Sequence, residues 1–241
     1  MALHALESKI DPAALTDLKA LPLERGSPVV VVDADEVLVI LAGHLTRFLE
    51  TIGYEMRLTQ YRLEGTIFLA GSDTPVSFDE ALGLIDRFFR VETTRQEAVE
   101  GAAEALARLS MSAQIVILTN VPRFAREARV ENLSALGMGY PMVANSGGKG
   151  RAVAWIAETV GAPTAFVDDS PPQIVSVAKH APDTLRIHFV GATYVREVAE
   201  TPAEARARAV DWTVCEALLR EGLALDTPPR RGNRMDLPTR G

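Results

Sequence analysis

The chain has 241 residues, 47% hydrophobic and 24% charged, ordinary usage that excludes a disordered or collagen-like chain and supplies core for roughly one to two domains. With 25 Lys and Arg against 32 Asp and Glu, a net charge of −7, broad binding to nucleic-acid phosphates is excluded, while a local small-anion site is not. The single cysteine, Cys215, the lack of a secretory pattern and the absence of a long apolar run exclude a disulfide framework and predict a cytoplasmic protein without a membrane partner.

Residues 1–26 read as a polar, peripheral leader with one short helix, because Asp11 can cap and Pro12 suits the first helical position. The run Val29 to Val32 is too short for a helix and rich in β-branching, the pattern of a strand buried on both faces in a parallel sheet. From 44 to 110 the pattern turns helical: Leu45, Phe48, Leu49 and Ile52 share a stripe, and Ser77 with Glu80 forms a capping box. A further helix is expected from about Thr94 to Leu109.

Short apolar runs then alternate with helical segments: AQIVIL, PRFAREARVENLSALG, PMVA, KGRAVAWIAETVG, TAFV, PPQIVSVAKHA and LRIHFVG. This alternation predicts βαβ units on a parallel sheet. Gly137 and Gly161 fall where helices end. A last helix is expected to start at Thr213, with Glu216 as capping-box partner, and to run to Arg220, before a Pro- and Arg-rich mobile tail over 226–241.

Ligands of open α/β sheets sit beyond the carboxyl ends of the strands, so the residues following each strand carry the functional reading. These are Asp33-Ala34-Asp35 after VVVV, Thr119-Asn120 after IVIL, Lys149 before the KGRAVAWIA helix, and Asp168-Asp169 after TAFV. Carboxylates gathered in one cleft repel unless a hard cation sits among them, and oxygen ligands suit Mg²⁺. Metal and lysine together would draw a phosphate and make phosphoryl transfer the leading reaction class.

In this order and strand context the four motifs resemble those of the haloacid dehalogenase superfamily, over about residues 28 to 215. The resemblance implies a Rossmann-like, three-layer α/β core with a mainly parallel five-stranded sheet over 27–43 and 111–225, and a small α-helical cap inserted over 44–110. It implies Asp33 as nucleophile, Asp35 as general acid and base, Thr119, Asn120 and Lys149 as phosphoryl ligands, and Mg²⁺ held by Asp33, the Asp35 carbonyl, Asp168 and Asp169. The expected activity is hydrolysis of a small phosphorylated metabolite. Alternatives are a phosphotransferase such as a sugar-phosphate mutase, a 2-haloacid dehalogenase, and a non-catalytic phosphate-ester-binding module. The pattern departs at Glu36, where many relatives carry glycine, which bears on the local turn.

Plainer readings stand beside these. Acids after strands commonly cap turns and helices, and Asn120 or Thr119 followed by Pro122 is a plain helix start. His4, His44, His180 and His188 share no metal spacing, and Cys215 reads as a packed thiol. Arg123 and Arg126 read as a solvated helix face, and Phe48, Tyr54, Tyr61, Phe68, Phe88 and Phe89 as cap packing more than as a stacking platform. Lys149 stands out, because lysine occurs only at 9, 19, 149 and 179.

Overall fold

A computed structural model describes residues 6–58 and 65–225; Tyr61, His4 and the expected tail over 226–241 lie outside the described residues. Six strands form one parallel sheet: β1 (Val29–Val32), β4 (Gln114–Thr119), β5 (Met142–Ala144), β6 (Thr164–Asp168), β7 (Leu185–Phe189) and β8 (Ala207–Ala209). Their spatial order is β5-β4-β1-β6-β7-β8. The all-valine β1 lies between β4 and β6, in register from Val29 opposite Gln114 and Thr164 to Val32 opposite Ile117 and Val167. Its burial on both faces explains why it does not alternate: Val30 and Val32 join one core cluster, Val29 and Val31 the other.

The three layers follow from those two clusters. One face is covered by α4 (Ala102–Leu109) and α9 (Trp212–Gly222), the other by α1 (Pro12–Lys19), α6 (Gly150–Val160) and α7 (Pro171–His180). The leader expected to be peripheral is therefore part of the core: Leu6, Ala14 and Leu18 are buried beneath α1. Asp11 caps α1 as expected, accepting from the Ala13 and Ala14 N–H groups, but its polar composition hid the apolar stripe.

The sheet has six strands where the resemblance implies five. The extra strand, Ala207–Ala209, pairs in parallel with β7; three residues, one of them Arg208, carry no β signature, and the partner strand rather than local propensity sets their conformation. The final helix is capped by Asp211, which accepts from Val214 N–H, instead of Thr213. The helix expected from Thr94 starts only at Ala102, because Gly101 takes the left-handed conformation at φ 78°.

Between β1 and α4 the chain makes a smaller unit. It holds α2 (Ala42–Thr51), α3 (Phe78–Glu92) and, between them, an antiparallel pair of β2 (Tyr54–Met56) and β3 (Ile67–Leu69) that a purely helical cap lacks. Its core joins Leu45, Phe48, Leu49, Ile67, Leu84, Phe88 and Phe89, with Phe88 edge-on to both Phe48 and Phe89. Ser77 caps α3 through Glu80 N–H. Among the described residues no helix is long and apolar enough to cross a membrane.

Candidate functional site

Parallel pairing brings the carboxyl ends of β1, β4 and β6 to one edge, and a cleft of about 340 Å³ opens there beneath the smaller unit. Its floor includes Asp33, Asp35, Asn120, Lys149, Asp168 and Asp169; Leu41, Leu45, Met56 and Phe89 line its roof. Of the residues expected to act as nucleophile, acid, phosphoryl ligand or metal ligand, only Thr119 is not on the cleft wall. It is fully buried, and its Oγ1 accepts from Val121 N–H at 3.1 Å. Asn120 reaches the neighbouring loop, donating to Gly147 O and accepting from Asn145 Nδ2, each at 2.9 Å.

Lys149 sits at the centre. Its Nζ lies 2.6 Å from Asp33 Oδ1 and 2.7 Å from Asp168 Oδ2, and the side chain is 2% exposed. The flanking glycines make this placement possible: a Cβ on Gly150 would lie 2.1 Å from Ser176 O, and one on Gly148 2.7 Å from Ser176 Oγ. Only with glycine on both sides can the start of α6 close against α7 and carry the lysine inward. Gln173 on α7 completes the anchor, its Oε1 accepting from Lys149 N–H.

Acids outnumber cations here. Burial drives the Asp33 carboxyl up to about 7; Lys149 pulls it down, but the Asp168 and Asp35 charges push the same way as burial. Burial lowers the Lys149 ammonium, and the pull of Asp168 and Asp33 overrides it, so the lysine stays charged. Carboxylate oxygens of Asp33, Asp168 and Asp169 all lie within 4.8 Å of one another. Three hard oxygen donors, two of them on a single lysine, fit a divalent cation such as Mg²⁺. The Asp35 carboxylate lies outside this group, turned to Arg129, whose Nη2 is 2.6 Å from Asp35 Oδ1; the contribution expected of Asp35 to a metal is its backbone carbonyl.

Glu36 adopts φ 61°, a conformation that favours glycine and costs another residue on the order of 1 kcal/mol. Its side chain offsets that cost, because Oε1 accepts from both Leu41 N–H and Ala42 N–H at the start of α2. Burial raises its carboxyl, with those two amides and Tyr194 pulling the other way. Tyr194, on α8 (Thr193–Val198), lines the cleft, and burial beside Glu36 drives its phenol far above the ordinary range.

The remaining singled-out groups take structural roles. His188, on β7, is buried: Nε2 donates to Asp169 O just after β6, and Nδ1 accepts from Thr201 Oγ1 on the segment leading into β8, each at 2.9 Å. Burial lowers its pKa and keeps it neutral. His44 pairs with Glu92, and His180 donates to Ser176 O. Cys215 is buried, and burial pushes its thiol up. Arg123 and Arg126 do not contact the cleft but converge on Asp17 of α1. Tyr54 donates to Glu80, and Phe68 stacks under Arg57.

Sequence reasoning missed Arg129, Gln173 and Tyr194. Arg129 is one of several arginines on a helix that reads as solvated, and Tyr194 follows no strand motif. No signal in the sequence separates them from their neighbours.

No family profile matches the sequence, and no curated protein matches it. Solved structures do match. A HAD family hydrolase from Deinococcus radiodurans R1, solved with bound phosphate and sodium, superposes with a TM-score of 0.57 at 18% identity, covering 86% of this chain and 100% of that one. A haloacid dehalogenase-like protein of unknown function from Agrobacterium tumefaciens str. C58 gives 0.55 at 16% identity over 81% and 99% of the two chains. The L-2-haloacid dehalogenase of Xanthobacter autotrophicus gives 0.54 at 12% identity over 80% and 98%. At these identities the likeness is one of fold.

Proposed function

From the premise that this chain has the haloacid dehalogenase-like hydrolase fold, we propose that it is a Mg²⁺-dependent phosphomonoester hydrolase acting on a small phosphorylated metabolite. The observation that carries the reading is the acid-rich cluster at the sheet edge, with Lys149 held 2.6 Å from Asp33 and 2.7 Å from Asp168 and Asp35 on the same cleft wall. The phosphate bound by the Deinococcus neighbour adds support from a protein of like fold.

Asp33, Asp168 and Asp169 would hold the metal, with the Asp35 carbonyl. When bound, it supplies positive charge that neutralises the carboxylates and the phosphoryl oxygens. Asp33 attacks the phosphorus and takes the phosphoryl group as an aspartyl phosphate. Asp35 gives a proton to the departing ester oxygen, then takes one from the water that opens the acyl phosphate. Lys149 holds Asp33 in line and supplies fixed positive charge to the transferring group. The apolar roof of Leu41, Leu45, Met56 and Phe89 keeps bulk water from the intermediate.

A 2-haloacid dehalogenase is the second reading, favoured by the likeness to the Xanthobacter enzyme. Asp35 weighs against it, because a departing halide needs no proton. The test is release of phosphate from aryl and alkyl phosphates with Mg²⁺, with excess chelator, and with Asp33→Asn. Activity that needs both metal and Asp33 is the expected result. Chloride release from a 2-chloro acid, with no phosphate released, would replace this reading with the other.

A further inference from the structure

Arg129, on α5 (Arg126–Ala135), is wholly buried, its side chain 0% exposed. Among the described residues the carboxylate it pairs with is that of Asp35. Its Nη1 lies 3.4 Å from Asn132 Oδ1, and its Nε is buried with no hydrogen-bond partner. A buried guanidinium that leaves one donor unmet is costly to keep, and its strongest contact is the 2.6 Å bond to Asp35 Oδ1. The network continues outward. Asn132 Nδ2 donates to Gln96 O at 2.9 Å and Thr94 O at 3.3 Å, and Gln96 Nε2 donates to Ile40 O at 3.2 Å. Ile40 lies on the strap leading from β1 into the smaller unit, and Thr94 and Gln96 on the strap returning from it; Ile40 N–H to Glu97 O at 2.9 Å ties the two straps together.

We propose that Arg129 is a positioning residue for Asp35: by holding Oδ1 it presents Oδ2 to the leaving-group oxygen, and Asn132 and Gln96 tie that orientation to the two straps joining cap and core. The proposal rests on the phosphomonoesterase reading. In the first step Oδ2–H passes its proton to the ester oxygen as the P–O bond breaks and the Asp33–phosphorus bond forms. In the second, Oδ2 takes a proton from water as the water oxygen bonds to phosphorus and the Asp33–phosphorus bond breaks. The helix after β4 thus controls proton transfer without touching substrate.

An alkyl ester needs that first proton, whereas dinitrophenolate leaves without it. The measure is kcat/KM, which reports events only through departure of the leaving group, for phenethyl phosphate and dinitrophenyl phosphate. For Arg129→Met we expect a loss of about 100-fold on the alkyl ester, in keeping with general acid catalysis, and less than about threefold on the dinitrophenyl ester, where no acid is required. Arg129→Lys restores part of the alkyl activity. Asn132→Ala, which leaves the buried charge pair intact, shows the same split at smaller size and carries the test if Arg129→Met does not fold. Equal losses on both esters, or none on either, would overturn the proposal. A folded wild type that hydrolyses neither ester with Mg²⁺ overturns the underlying reading instead, and the proposal with it; Asp33 dependence of the wild-type rate separates the two failures.

Discussion

Two acid–base clusters, each built on a buried carboxylate, flank the sheet edge, and they are opposites. At Asp17, one carboxylate receives Arg123 through two nitrogens, Arg126 through Nε, and the Ala144 N–H. Burial pushes that carboxyl up, but the Arg123 bond, the Ala144 amide and the Arg126 charge outweigh it and hold it below the ordinary value. At Asp33, burial wins and the carboxyl rises to about 7, because Lys149 is shared with Asp168. Both clusters are composed of acids and bases at short range. The ratio separates them: where donors exceed acids the cluster is structure, and where acids exceed donors charge is left for something else to neutralise.

Removing the shared cation has the largest expected effect. Lys149→Met leaves buried acids without their lysine and should cost about 3–5 kcal/mol, the range for one partner lost from a buried pair, together with all turnover. Chemical denaturation checks the stability, and retention of wild-type stability would contradict the picture of an acid-rich cluster held by one lysine. Next in size is the same substitution made in both places. Asp17→Asn strips two arginines of their charge partner and should destabilise by about 2 kcal/mol, as for hydrogen bonds to charged groups. Asp33→Asn removes one of the excess acids and should leave the metal-free protein as stable as before, or more so, while abolishing turnover. Matching losses of stability in the two variants would remove the distinction.

The smallest effect is in acid. A carboxyl held below its unfolded value adds stability that is complete above that value and is lost as pH falls through the folded one. Asp17 therefore contributes its full share above the ordinary carboxylate value of 3.8 and loses it progressively as pH falls from there through the lower folded value. Wild-type stability should fall more steeply than that of Asp17→Asn as pH drops below about 4. Parallel curves would mean that Asp17 is not held low.

The parts of this molecule legible in its sequence are those where one residue type meets one physical demand. Four consecutive valines demanded a two-faced strand, Ser77 and Asp11 demanded helix starts, and acids directly after strands came to one edge because parallel pairing leaves them no other place. Glycines around Lys149 were visible, but their reason was not: only the 2.1 Å approach of a Cβ on Gly150 to Ser176 O explains them. What stayed hidden depends on partners distant in sequence. Ala207–Ala209 becomes a strand because β7 offers an edge, α1 is core because Leu18 meets the far face of the sheet, and Arg129 differs from Arg123 and Arg126 in its complete burial and in which carboxylate it reaches. Thr119 sits at its motif position but is buried behind the cleft wall, its Oγ1 accepting from Val121 N–H.

The central claim is that the carboxylate left in excess, Asp33, carries the phosphoryl group. The most direct measurement is to mix enzyme, Mg²⁺ and dinitrophenyl phosphate, quench, reduce with borohydride and sequence the peptides by mass spectrometry. An acyl phosphate reduces to the alcohol, so homoserine is expected at position 33 and nowhere else, absent without substrate. Phosphate release from the same mixture with aspartate intact at position 33, or homoserine at position 35 or 168 instead, would contradict it.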